Sequence, residues 1–321
     1  MVQFLPWALS RALSYNQAMT DAAERYQIPL RGILYMLATA VVIFPLLNAS
    51  VKYLAADYSL VQIIWIRSVV HLVWMLLLFM PSLGLRVFAT RRLKLQLARS
   101  LLQLAALTSF VVGLLYIPMT SATAIFFTGP LIVVALAGPL LGERVGIRRL
   151  LAVLVGFTGA LVIIRPGADG THWAALLILA GAGFYALYQV LTRRVADHDD
   201  FRVSAVYTIL IALLVSSIAV PFYWETPVGW LDWMVFGGLG ILGGLGHLFV
   251  IKAYEHAEAS FVGPFDYGQL LGATVVGYLV FAEFPDLWTW IGAAIIIVSG
   301  IYVARREALV RHRALERQEA T

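Results

Sequence analysis

The chain has 321 residues, of which 61% are apolar and only 13% charged, with a formal net charge of +5 and no cysteine. A soluble fold with this balance would lack the polar surface to cover its core, because soluble domains carry roughly a quarter charged residues. The composition argues against a soluble enzyme, a disordered chain and a nucleic-acid binder, and the absence of cysteine excludes disulfides and thiolate chemistry.

In chain order, residues 1–31 mix polar and apolar side chains, including Arg11, Asp21, Glu24, Arg25 and Arg31, with no cleavable leader pattern. They read as a cytoplasmic segment, either an amphipathic surface piece or a loosely ordered tail. Ten apolar windows follow, at 33–55, 59–80, 97–117, 120–141, 147–165, 172–192, 203–223, 231–253, 258–281 and 287–304. Each has about the length that crosses a bilayer as a helix. Breaks fall at Pro81, Ile117–Pro118, Gly142–Glu143, Pro166–Gly167, the charged run 193–202 and Pro285–Asp286. The fold class expected is all-α and polytopic, with a cytoplasmic tail over 305–321.

The charges support an even number of spans. With both termini on the cytoplasmic side, that side receives all but Lys52, Arg67 and Arg165 of the 23 basic residues, Arg99 being counted with the loop after the second span. The opposite loops carry Asp57, Asp169, Glu225, Asp232 and Asp286. This is a positive-inside pattern, so the basic charge reflects topology and implies no nucleic-acid partner.

Two halves, 32–166 and 167–304, lie over each other at an offset of about 140 residues. Phe44 then falls on Phe184, Asn48 on Tyr188, Glu143 on Glu283, and Phe126 and Phe127 on Asp266 and Tyr267. A unit of five spans is odd, so two copies in one membrane are inverted relative to each other, a build used by secondary transporters.

The segment Thr128–Gly129–Pro130 through Gly142–Glu143–Arg144, followed by Gly156, Gly159 and Arg165, resembles the end of an EamA domain. Glu283, Gly292 and Gly300 resemble its second copy. Asn48–Ala49–Ser50–Val51–Lys52 and Trp65–Ile66–Arg67 also fit. Ala152 and Ile296 depart from the usual glycine series, at positions concerned with helix packing. The resemblance covers about residues 32–304. It implies the drug/metabolite transporter superfamily, with ten helices as two inverted repeats, cytoplasmic termini and a bacterial inner-membrane location. Substrates of that family include amino-acid derivatives, vitamins and nucleotide-like cofactors. The set Asn48, Lys52, Gln62, Trp65, Arg67 and His71 resembles a branch with carriers for S-adenosylmethionine and riboflavin.

Ionisable groups inside apolar spans are costly, so function is expected where they occur. Arg67 and His71, four apart, share one face of the second span, and Asn48 and Lys52 share a face of the first. Together they form an electropositive lining suited to an anionic group. Each residue also has a structural alternative: snorkelling for Lys52, a helix clamp for Arg67, a fixed hydrogen bond for His71. Asp266 lies in Gly263–Pro264–Phe265–Asp266–Tyr267–Gly268–Gln269, where Pro264 predicts a bent or locally open helix. It stands as a neutraliser of Arg67 or Lys252, a ligand for a substrate amine, or a carrier of a coupling proton. Gln103, Tyr185, Tyr188, Gln189, His247, Tyr254, Tyr267 and Gln269 are further lining candidates, with Phe126 and Phe127 as aromatic walls. Glu143 and Glu283 read as symmetric end-clamps, and Pro130 and Pro264 as gating or structural residues.

The preferred reading is a secondary carrier of a small polar or zwitterionic metabolite, working by alternating access, with proton coupling left open. No cofactor or metal is implied, and no phosphate-binding loop suggests ATP as an energy source. A lipid-active membrane enzyme and a non-transporting scaffold subunit are the rivals. A ten-helix monomer is large enough to enclose a pathway, and a homodimer is left open.

Overall fold

The computed structural model describes residues 30–142, 146–166, 173–196, 198–256 and 259–319. Among them every regular element is helical. In order these are α1 (Leu30–Leu54), α2 (Leu60–Leu83), α3 (Leu93–Leu114), α4 (Met119–Leu141), α5 (Ile147–Ile164) and α6 (Trp173–Ala196). After them come α7 (Phe201–Ala219), α8 (Trp230–His256), α9 (259–281) and α10 (Leu287–Glu319). The predicted spans all have a counterpart here. Helix α10 runs on through the expected tail instead of ending near 304.

Prolines shape three of these elements. In α1, Pro45 cannot donate to the Val41 carbonyl, and the preceding turn widens until the Phe44 N–H reaches back five residues to Thr39. In α4, Pro130 leaves the Phe126 carbonyl without its usual donor, and the helix splits into Met119–Phe126 and Gly129–Leu141. In α9, Pro264 opens a 3-10 turn, Gly263–Tyr267, between the short helix Ala259–Val262 and the helix Gly268–Phe281. The ninth predicted span is therefore broken. Nine helices among the described residues are long and apolar enough to cross a membrane.

The molecule is apolar on the outside. Leu77, Ile218 and Leu279 lie exposed on separate helices, while alanines such as Ala40, Ala122, Ala182 and Ala253 are fully buried. Lipid tails provide no hydrophobic drive between helices, so close packing of small residues must hold the bundle. Gly159 of α5 and Gly292 of α10 show this: a methyl group on either would run into the backbone carbonyl of the other.

Packing pairs repeat when the first five helices are exchanged for the last five. The α3/α6 contact maps onto α8/α1, α4/α6 onto α9/α1, and α2/α8 onto α7/α3. The α2/α7, α4/α9 and α5/α10 contacts map onto themselves. Single contacts follow the same rule. Tyr58 bonds Asp232 at 2.7 Å, and Arg92 lies 3.1 Å from His198, both pairs moving by the same offset. Phe127 and Tyr267, matched positions of the two broken helices, touch with ring centroids 4.8 Å apart.

The two ends differ in charge. Asp57, Glu225, Asp232 and Asp286 mark an acidic end, and Arg86, Arg91, Arg92, Arg194 and Arg202 a basic end. At the basic end Asp199 accepts from Thr90 Oγ1, from the Arg91 N–H at 3.0 Å and from Gln96 at 2.9 Å. Partial burial alone would raise its pKa, but these hydrogen bonds outweigh that and hold it below the usual carboxylate value.

Candidate functional site

Helix α8 is so rich in glycine that α2 can press directly onto it. Gly240 packs against Val70, Gly243 faces the His71 ring and the Arg67 guanidinium, and Gly246 packs on Phe44 of α1. Mid-bundle this brings together Arg67, His71 and His247, with the two imidazole centroids 5.2 Å apart and Phe44 edge-on to His247 at 6.4 Å. His247 Nδ1 is satisfied by the Gly243 carbonyl at 2.9 Å. His71 is only 5% exposed, yet its Nε2 has no hydrogen-bond partner. Among the described residues Arg67 makes no hydrogen bond and no ion pair. One turn beyond Phe44, half-buried Asn48 likewise has no side-chain hydrogen bond.

Arg67 is half-buried, and a cation held inside the bundle without an anion is costly. Another arginine shows the contrast. Arg99 of α3 is 1% exposed and fully saturated. It donates to Gln96 Oε1 at 2.6 Å, the Ser204 carbonyl at 2.9 Å, Thr208 at 2.8 Å, Thr192 at 3.1 Å and Tyr188 Oη at 3.2 Å. The sequence reading counted Arg99 with a surface loop; it lies instead two turns inside α3, as the neighbouring Gln96, Ser100 and Gln103 could have signalled. Tyr188 is thereby committed to Arg99, its ring 5.0 Å from the guanidinium carbon. Ser100 Oγ and Gln103 Oε1, beside it, are buried without partners.

Asp266 lies in the 3-10 turn of α9 and accepts one hydrogen bond, from Gln269 at 2.6 Å. It makes no ion pair with Arg67 or Lys252, so that expected neutralisation is absent; Lys252 pairs with Glu255 at 2.7 Å. Aromatic rings surround this region: Tyr185 meets Phe126 at 5.4 Å and stacks on Tyr188 at 5.8 Å, and Phe127 meets Tyr267. Gln189 donates to Tyr185 Oη at 3.0 Å. The Tyr267 hydroxyl sits directly on Gly300 of α10, where any side chain would displace it. A cavity of about 270 Å³ opens between α4, α6 and α10 toward the basic end, lined by Pro130, Leu131, Tyr185, Gln189, Arg193 and Gly300.

Other predicted residues are placed at the acidic end. Lys52 Nζ forms an ion pair with Glu283 Oε1 at 2.5 Å and reaches the Ile117 carbonyl at 3.4 Å. Glu283 Oε2 also accepts the Met119 N–H at 3.2 Å, so one carboxylate joins α1, the start of α4 and the end of α9. Lys52 is thus engaged apart from Arg67. Gln62 is locked to the backbone of Glu225 in both directions, and Trp65 donates to Ser217. Glu143, the expected counterpart of Glu283, lies outside the described residues.

The EamA-like transporter family matches residues 30–165 and again residues 172–305. The chain belongs to the EamA-like transporter family. It is a multi-pass membrane protein and a secondary transporter of small metabolites, not an enzyme. A riboflavin transporter of Vibrio cholerae is 31% identical over 283 residues, covering 87% of this chain and 94% of the relative. An S-adenosylmethionine uptake transporter of Rickettsia felis is 28% identical, covering 73% and 80%. A pseudopaline exporter of Pseudomonas aeruginosa is 26% identical, covering 82% and 92%. A solved crystal structure superposes with a TM-score of 0.59 at 18% identity, covering 86% of this chain and 94% of the other, which shows the shared fold.

Proposed function

We propose that this transporter moves a small dipolar, ring-bearing metabolite by alternating access, with Arg67 and His71 anchoring the solute's anionic group. The observation that carries the reading is the Arg67 guanidinium, left without a protein partner in mid-bundle while Arg99 is saturated. Asp266 receives the cationic or N–H-bearing part, and Gln269 holds it for that role. Tyr185, Phe126 and Phe127 supply faces for a ring. Relatives named for riboflavin and S-adenosylmethionine agree with a vitamin or nucleoside-like solute.

The halves 32–166 and 167–304 act as inverted repeats, supported by the exchange symmetry of the packing pairs. The positive-inside pattern supports cytoplasmic termini and a bacterial inner-membrane setting. The Lys52–Glu283 pair then closes the outer end, and the cavity by Gln189 opens inward. A monomer contains all these parts. Purified protein in proteoliposomes, given radiolabelled riboflavin or S-adenosylmethionine with and without an imposed pH gradient, tests the reading. Saturable uptake lost in Arg67→Ala supports it; uptake unchanged in Arg67→Ala contradicts it. If Asp266 couples protons, Asp266→Asn abolishes gradient-driven accumulation while leaving exchange intact, and equal accumulation by mutant and wild type rejects that role.

A further inference from the structure

Helix α8 turns several glycines toward its neighbours, and packing does not ask for all of them. A methyl group at Gly240 would overlap Val70 and the backbone of His71, and one at Gly246 would overlap Phe44. Those two glycines let α2 and α1 approach. Gly243 is different. A methyl there would meet nothing nearer than His71 Nδ1 at 3.4 Å, His71 Cε1 at 3.7 Å and Arg67 Nε at 3.9 Å, all ordinary contact distances. Gly244 would likewise accept a methyl, 3.5 Å from Trp74 Cβ. Glycine is a poorer helix former than alanine, so at 243 it costs stability without serving the packing. What it leaves is a notch whose nearest polar atoms belong to Arg67 and His71, the side chains left without hydrogen bonds.

A glycine alone makes no site, and the second observation is His71. It is 5% exposed, its Nε2 has no partner, and its Nδ1 is the atom closest to the notch. The notch also has an approach. Trp230, Met234 and Ile241 form an exposed apolar stripe on α8. His247 is exposed as well, six residues past Ile241 and so about 120° around the helix, where buried His71 and half-buried Phe44 flank it. One face of α8 thus meets lipid and another opens inside the bundle, one turn from Gly243. The Gly243 carbonyl turns no free lone pair toward an anion, because the main-chain N–H and the Nδ1 of His247 both donate to it.

Resting on the carrier reading above, we infer that Gly243 determines specificity: its missing side chain leaves the seat for a terminal oxygen of the solute's anionic group, as a carboxylate presents it, beside His71 Nδ1 and Arg67 Nε. Arg67 supplies the charge, and His71 donates from Nδ1. An oxygen is no larger than the methyl group that fits this space. Filling the space with alanine keeps the helix contacts and removes the seat.

S-Adenosylmethionine, which has a free carboxylate, and its decarboxylated analogue, which lacks only that group, are the probes. Binding to the purified full-length protein is followed by calorimetry. Wild type and Gly244→Ala should bind S-adenosylmethionine at least about tenfold more tightly than the analogue. Gly243→Ala should bind the two alike while melting no lower than wild type, because alanine fits and favours the helix. Gly246→Ala, which overlaps Phe44, should melt lower and gives the loss that a packing glycine shows.

A preference for the carboxylate that survives Gly243→Ala, its loss in Gly244→Ala, or no preference or no binding in wild type overturns the seat. A melting loss in Gly243→Ala as large as in Gly246→Ala makes Gly243 a packing residue and overturns it too. Arg67→Gln separates the two readings. If it abolishes the preference while Gly243→Ala keeps it, the anchor stands and the seat falls; if Arg67→Gln keeps the preference, the anchor itself is contradicted.

Discussion

Arg67 and Arg99 are both arginines inside apolar helices, and their surroundings predict opposite results on mutation. Removing Arg99 leaves Gln96 Oε1, the Ser204 carbonyl and the Thr208 hydroxyl short of a donor in the interior. Arg99→Ala should therefore destabilise the protein by about 3 kcal/mol or more, seen as a lower melting temperature in detergent. Arg67 has no such partners, and its truncation removes an uncompensated charge. Arg67→Ala should leave the melting temperature unchanged or raise it while transport is lost. Asp199 provides a pH test outside the spans. Its folded pKa lies below the ordinary carboxylate value of 3.8, so its contribution is present above that pH and fades as pH falls through the lower folded value. Melting curves between about pH 6 and pH 3 should show this loss, and Asp199→Asn should reduce the pH dependence.

At the scale of helices, α5 and α10 meet where Gly159 and Gly292 let backbones touch. Gly292→Leu should force them apart, costing about 1–3 kcal/mol, with a similar loss for Gly159→Leu and less than additive loss for both. Thermal unfolding of the three variants checks this. The helices themselves were readable because apolar windows of bilayer length are long-range-independent signals, and the Pro264 break in α9 was readable from a local rule about missing donors. Arg99 was misplaced because it stands two residues inside its apolar window, where a charge at the edge counts with the loop, whereas helix α3 begins four residues earlier, at Leu93, and carries it into the interior. Lys52 and Glu283 are 231 residues apart, and nothing local in either sequence segment announces the pair. Arg67, His71 and Asp266 were visible as costly polar groups, but that Arg67 and His71 Nε2 go without a hydrogen bond while Asp266 has one from Gln269 is a property of packing.

Across the whole molecule, exchange symmetry in the packing coexists with asymmetry in the polar contacts. Lys52 and Glu283 tie the acidic end, whereas the matched position to Lys52 is Thr192, which is occupied by Arg99. Under the proposed alternating access, the Lys52–Glu283 pair is a contact that has to break when the acidic end opens. Since the chain has no cysteine, single cysteines can report access without background. A cysteine beside the cavity, at Val134, should react with a membrane-impermeant thiol reagent from the basic end in the resting protein. Lys52→Ala should add reactivity from the acidic end at a cysteine placed near Thr120, and unchanged protection there would show that the pair is no closure.

The central claim is that a partnerless mid-bundle arginine holds the solute. Its most direct measurement is solute uptake by proteoliposomes containing either wild type or Arg67→Ala at matched insertion and matched melting temperature. The account predicts saturable uptake for the wild type and uptake at the level of empty vesicles for the variant. Equal uptake by the two proteins would contradict it.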